Sequence, residues 1–276
     1  MMKKSVFPFF LLLFLMGKVA GQVLQQVADI NPTGSSYPWQ LTLCNNKLFF
    51  IASSGPGLRS LYVTEGSAAT TQELITPRGV TYANYPVAYK NKLYFVYDDG
   101  INGLEIWVSD GTPAGTKLFV DIYPGATSSY PVALTVANNK LFFIADNQTA
   151  GKRLYVSDGT VGGTTVINNG YTDYLNAGGT GLTVYNNKVL FIGENSTTFS
   201  KGIWMSDGNT VTVVKDGLTT GGNVPFSAEL NGKLYFSGSE DTYGNELWVT
   251  DGTTGGTHLV RDISASPGFN SNPQNF

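Results

Sequence analysis

Carboxylates and tyrosines carry whatever chemistry this sequence has. Acidic residues recur at similar places in four stretches of the chain, as Asp98 with Asp99, Asp146, Glu194, and Glu240 with Asp241. A ring of such groups would attract a cation, Ca2+ first among them, although no stretch has the dense oxygen-ligand spacing of a known calcium loop. Six tyrosines stand as candidate ligand contacts, Tyr37, Tyr85, Tyr123, Tyr130, Tyr171 and Tyr174, with Tyr82 in the same set of loops and Trp39 just after Pro38. Exposed tyrosines offer flat apolar area with a polar tip, which suits an extracellular glycan or protein. The same rings would serve equally well to pack on their own loops.

Catalysis has less to stand on. The single histidine, His258, lies far in sequence from any candidate nucleophile, and no Ser-His-Asp set, paired histidine ligands or glycine loop opening a helix can be assembled. Two carboxylates brought from different parts of the fold could still flank a glycosidic bond without leaving a sequence signature. A hydrolase acting on extracellular polysaccharide or peptide through acids such as Glu229 is therefore the alternative to a non-catalytic binding module, beside a structural segment of a surface protein. No cofactor is expected.

The elements that must position these residues repeat. The copies begin at Lys47-Leu48-Phe49-Phe50, Lys92-Leu93-Tyr94-Phe95, Lys140-Leu141-Phe142-Phe143, Lys188-Val189-Leu190-Phe191 and Lys233-Leu234-Tyr235-Phe236, at intervals of 45, 48, 48 and 45 residues. Each copy has room for four strands, in the third running Pro131 to Lys140, Lys140 to Ala145, Arg153 to Ser157 and Thr164 to Asn168. Asn45-Asn46, Lys90-Asn91, Asn138-Asn139, Asn186-Asn187 and Asn231-Gly232 divide the first two strands and suit a primed two-residue turn. Glu65-Gly66, Asp110-Gly111, Asp158-Gly159, Asp207-Gly208 and Asp251-Gly252 divide the last two. There the carboxylate is expected to accept backbone N–H groups while Gly turns left-handed, so these acids read as turn-formers rather than ligands.

The second and third strands are apolar on both faces, as in Leu48-Phe49-Phe50-Ile51 and Ile106-Trp107-Val108. Strands of that kind are covered on both sides. Small antiparallel sheets buried on both faces, at a period of about 40 to 50 residues, predict an all-β fold: a β-propeller of four-stranded antiparallel blades with almost no helix. The repeat cores fall at about 37–75, 85–120, 131–167, 180–214 and 225–260, with 261–276 as the start of a sixth. Counting fourth-type strands gives six, the first at Val27-Ala28-Asp29-Ile30, so one strand is surplus to a five-bladed ring and the ring is expected to be incomplete.

Met1-Met2-Lys3-Lys4, the apolar run Val6 to Met16 and Val19-Ala20-Gly21 have the order of a signal peptide over residues 1–21, too short to span a membrane. The remaining 22–276 is expected to be exported, secreted or held at the cell surface, with no membrane insertion. A net charge of −3 argues against nucleic acid as a partner. The lone Cys44 excludes an intramolecular disulfide and reads as a buried thiol.

Glu246-Leu247-Trp248-Val249-Thr250-Asp251-Gly252-Thr253, and Glu105-Ile106-Trp107-Val108-Ser109-Asp110-Gly111-Thr112, resemble the ELWxxDGT repeat of exported bacterial proteins, many from Bacteroidetes. Copies one, three and four put Ser60, Arg153 and Gly202 in place of the leading Glu. The resemblance covers nearly all of 22–276 and implies a propeller-like secreted or surface protein. It implies no particular activity.

Overall fold

The computed structural model describes residues 25–55, 58–75, 84–148, 151–167, 181–194, 200–219, 227–264 and 270–273. They form five four-stranded antiparallel sheets, each taken in chain order. Blade 1 is β1 (Trp39–Cys44), β2 (Lys47–Gly55), β3 (Leu58–Thr64) and β4 (Gln72–Ile75). Blade 2 is β5 (Asn84–Tyr89), β6 (Lys92–Asp98), β7 (Leu104–Ser109) and β8 (Lys117–Val120). Blade 3 is β9 (Val132–Ala137), β10 (Lys140–Asp146), β11 (Lys152–Ser157) and β12 (Thr164–Val166). Blade 4 is β13 (Thr183–Tyr185), β14 (Lys188–Glu194), β15 (Lys201–Ser206) and β16 (Val211–Asp216). Blade 5 is β17 (Ser227–Leu230), β18 (Lys233–Glu240), β19 (Gly244–Thr250) and β20 (His258–Arg261). A single 3-10 turn, Ala68–Thr70, is the helical content of the described residues.

Local chemistry sets these boundaries. Both residues of every turn between first and second strands have positive φ, from Asn45 at 49° and Asn46 at 60° to Asn231 at 53° and Gly232 at 70°. This is the primed geometry that matches the twist of the flanking strands. At the other hairpin, Gly111, Gly159, Gly208 and Gly252 take φ between 87° and 90°, and the Oδ1 atoms of Asp110, Asp158 and Asp251 accept the N–H of the threonine two residues on at 2.8–2.9 Å. A second glycine, at 115, 163 and 256, is required because a Cβ there would collide with the same aspartate carboxylate.

The blades pack through β2- and β3-type strands, whose two faces both carry apolar side chains. One face of blade 1 (Phe49, Ile51, Leu61, Val63, Leu74) meets Leu93, Phe95 and Tyr97 of blade 2. Blade 2 meets blade 3 through Tyr94, Ile106, Val108 and Phe119 against Leu141, Phe143 and Tyr155, and two further clusters join blades 3 to 4 and 4 to 5 in the same way. Each fully buried side chain of this size contributes about 1.5–3 kcal/mol. The first strands adjoin, β1 beside β5, β5 beside β9 and β9 beside β13, so they line the common axis. Tyr89 and Tyr185 add hydroxyl donors across the joint, to the carbonyls of Asn139 (2.7 Å) and Gly232 (2.6 Å) in the next blade's turn.

The strand count differs from the sequence expectation at one place. Val27 to Ile30 is not a strand. With no third-type strand beside it there is no edge to pair with, and Ile30 instead lies on Phe50, Ala52 and Tyr62 of blade 1. The described strands therefore make five whole blades. Among the described residues they share four apolar joints, and no fifth cluster unites blade 5 with blade 1.

Candidate functional site

One end of the blades collects both loop sets that the sequence singled out. The backbone N–H of Ser53 donates to Ser36 O, and that of Asp146 to Ser129 O, both at 2.7 Å. Each bond ties the corner before a first strand to the far end of the second strand. Tyr37 and Tyr130 are thereby held beside the loops that carry Asp146 and its counterparts. The Asp-Gly and Asn-Asn turns close the opposite end.

Tyr37, Tyr85 and Tyr130 occupy one position in three successive blades, each followed by proline (Pro38, Pro86, Pro131), and all three take positive φ, 43°, 53° and 48°. Left-handed backbone costs a non-glycine residue about 1–2 kcal/mol. All three rings are exposed, Tyr37 by 77%. Tyr123 is half-buried in the connection after β8. Tyr171 and Tyr174, like Tyr82, lie outside the described residues.

Tyr37 borders a cleft of about 400 Å3 on blade 1. Trp39 forms a second aromatic wall, with the Arg59 guanidinium 4.7 Å from its ring centroid. Asn31, Ser35 and Ser53 supply polar lining, and the Asn31 side-chain amide is itself fixed by donating to Ser35 O at 3.2 Å. Flat apolar walls with a few fixed polar groups are the usual make-up of a small-molecule site. Nothing in the sequence pattern singled out Arg59 or Asn31, because the cleft joins the segment before β1 to the start of β3.

Three of the loop acids, Asp98, Asp99 and Asp146, are occupied by their own turns. Asp98 Oδ1 accepts Gly100 N at 2.7 Å and Asp146 Oδ1 accepts Gln148 N at 2.7 Å. Asp99 takes the N–H groups of Ile101 and Asn102 and the Asn102 side chain; burial pushes its carboxyl up, but these bonds outweigh it and hold the group below its ordinary range. Glu194 ends β14 opposite Lys201, Glu240 lies 3.9 Å from Lys215 Nζ, and Asp241 is exposed in the adjoining turn. Among the described residues no three histidine, cysteine or acidic side chains converge. Glu229 is exposed on β17, and His258 is exposed on β20 opposite Val249.

Two buried glutamates have a role that sequence reasoning missed. Glu105 and Glu246 are wholly buried in third strands. Glu105 accepts the backbone N–H of Ile122 (3.0 Å) and of Ser129 (2.9 Å) and the Ser129 hydroxyl. Glu246 does the same for Ile263 N (3.2 Å), Ser271 N (3.1 Å) and the Ser271 hydroxyl (2.5 Å). Glu105 latches the loop that leads into blade 3, and Glu246 holds the corresponding loop after β20. The sequence signal was available: both glutamates are followed by Asp-Ile, at 121–122 and 262–263, and then by a serine.

No protein-family model matches the sequence, and no curated protein matches it. Solved structures do. A puromycin hydrolase aligns at TM-score 0.55 and 13% identity over 89% of this chain and 40% of its own, and its S511A mutant at 0.51 and 13% over 83% and 38%. Dipeptidyl peptidase 4 of Porphyromonas gingivalis aligns at 0.56 and 12% over 82% and 37%. The chain thus spans about two fifths of the length of the structures it matches. At this identity the likeness shows the fold, and with five four-stranded blades it places the chain among the β-propeller proteins.

Proposed function

We infer that this chain is an exported, non-catalytic binding module of the ELWxxDGT type, which holds an extracellular glycan at the Tyr37–Trp39–Arg59 cleft. The observation that supports it is the cleft itself. The Tyr37 ring, 77% exposed at a left-handed backbone position, stands beside a tryptophan and fixed polar groups. Sugar rings present an apolar face to such aromatic walls and hydroxyls to amides and guanidinium groups. The apolar order of residues 1–16 supports export.

The test is a glycan array followed by titration calorimetry. Saturable binding is expected, with at least a tenfold loss of affinity in Tyr37→Ala and in Arg59→Ala while circular dichroism stays unchanged. Absence of binding across a broad panel, or full binding by both variants, sinks the reading.

A further inference from the structure

The two ends of the blade row are complementary halves of the joint that recurs four times inside it. In blades 2 to 5 the face turned toward the preceding blade carries Leu93, Phe95 and Trp107; Leu141, Phe143 and Tyr155; Val189, Phe191 and Trp204; and Leu234, Phe236 and Trp248. Blade 1 carries the matching residues Leu48, Phe50 and Tyr62, and among the described residues it is Ile30 of the chain's own lead-in segment, not a blade, that lies on Phe50 and Tyr62. Leu41 on that face is 61% exposed, while its counterparts Leu134 and Leu182 are packed into joints. Gly66 has open space where Gly111, Gly159, Gly208 and Gly252 each abut the preceding blade.

Blade 5 shows the opposite half. Leu230, the last residue of its first strand, is 58% exposed, whereas Cys44, Tyr89, Ala137 and Tyr185 at that position are buried by the following blade. Val260 is 44% exposed where Leu74, Phe119 and Val214 are buried. Tyr235 and Leu247 are only half-buried where Phe49, Tyr94, Phe142 and Leu190, and Leu61, Ile106, Leu154 and Ile203, are covered.

The latches agree. Asp29-Ile30 followed by Ser36 repeats Asp121-Ile122 with Ser129 and Asp262-Ile263 with Ser271, yet among the described residues no carboxylate meets Ile30 or Ser36. Its corner already has the latched form, with Ser36 O taking Ser53 N as Ser129 O takes Asp146 N. At the other end Glu246 holds Ser271, and Asn272 before Pro273 has φ 48°, the backbone of Tyr130 before Pro131.

We propose that blade 5 of one copy docks on blade 1 of a second copy, head to tail, with Glu246 exchanging its own Ser271 loop for the Ser36 loop of the second copy. The occupant is a second copy because the surface needed is the one this chain already presents at its other end: the same side chains at the same positions as in the four internal joints. The exchange is near balanced in kind, since the Ile30 N–H and the Ser36 N–H and hydroxyl replace the same three donors. The contact is heterologous, so each copy keeps one free end unless the row closes.

The experiment is sedimentation velocity on the purified chain over ~1 to ~100 μM, with Leu41→Asp and Leu230→Asp. Both positions are exposed, so both variants are expected to fold. The unaltered chain is expected to associate as concentration rises, each variant alone to stay monomeric, and an equimolar mixture of the two to form a dimer through the intact end of each. A chain monomeric throughout, variants that still associate alone, or a mixture that stays monomeric each overturns the proposal. Circular dichroism of both variants verifies that lost association is not lost folding.

Discussion

The Ser129 hydroxyl donates to Glu105 Oε2 at 2.6 Å, inside a site with no solvent access to either side chain. This bond spans two blades, from β7 to the corner that begins β9. A charged acceptor with three donors is worth more than a neutral pair, and leaving the donors unmet costs about 1–3 kcal/mol. Glu105→Gln keeps the volume but turns an amide toward the Ser129 N–H. It is expected to lower stability by about that amount in denaturant melts, and Ser129→Ala should cost much less in the Gln background than in the native one. Equal costs in both backgrounds would show that the two residues act independently.

Acid should act on the fold with two opposite signs. Burial pushes the Glu105 carboxyl above its ordinary 4.5, against the pull of Ser129 and Ile122. Its protonated form is therefore favoured by folding, and that contribution is fully present below 4.5 and lost as pH rises through the raised value. The Asp110, Asp158 and Asp251 carboxyls are held below 3.8 by the hydroxyl and N–H of Thr112, Thr160 and Thr253, and Asp207 first by Thr210 N–H. Their contribution is present above 3.8 and lost as pH falls through the lowered values. Thermal midpoints followed from neutral to about pH 3 should show a gentle rise and then a fall, and Glu105→Gln should remove only the rise.

Adjacent glycines in the fifth repeat should respond differently to one methyl group. A Cβ on Gly256 would collide with the Asp251 carboxylate, while one on Gly255 meets nothing within 4 Å. Gly256→Ala is expected to cost about 1–3 kcal/mol by forcing the turn apart. Gly255→Ala should be close to neutral. Thermal melts of the two variants measure the contrast.

Position 37 should trade binding against stability. Asn272 takes the same left-handed backbone before Pro273, and asparagine tolerates it better than an aromatic residue does. Tyr37→Asn is expected to hold stability level or raise it by up to about 1 kcal/mol. Glycan binding should fall at least tenfold. A marked loss of stability would mean that the exposed ring serves the fold.

Much of the architecture is legible because it rests on local backbone chemistry. Asn45-Asn46 and its four counterparts announce the primed turns, Asp110-Gly111 and its counterparts the other hairpin, and doubly apolar strands such as Leu141-Phe142-Phe143-Ile144 announce covered sheets. What stayed hidden depends on distant partners. Val27 to Ile30 looks like a fourth strand by composition, but pairing needs a neighbour that composition does not supply. Glu246 reads as part of a motif until its Ser271 partner, 25 residues on, is placed beside it. The tyrosines were found by type, whereas the cleft at Tyr37 draws Asn31 from the segment before β1 and Arg59 from β3.

Four joints among five blades give the blades unequal shares of support. Among the described residues blades 2, 3 and 4 are held on both sides, with blade 3 at the centre, while blades 1 and 5 are each joined to one neighbouring blade. Opening should therefore begin at the outer blades and move inward, so that amide hydrogens of β10 exchange last and those of β20 early. A molecule built this way loosens by whole blades in sequence, and a partner seated on either end would slow the first of those losses.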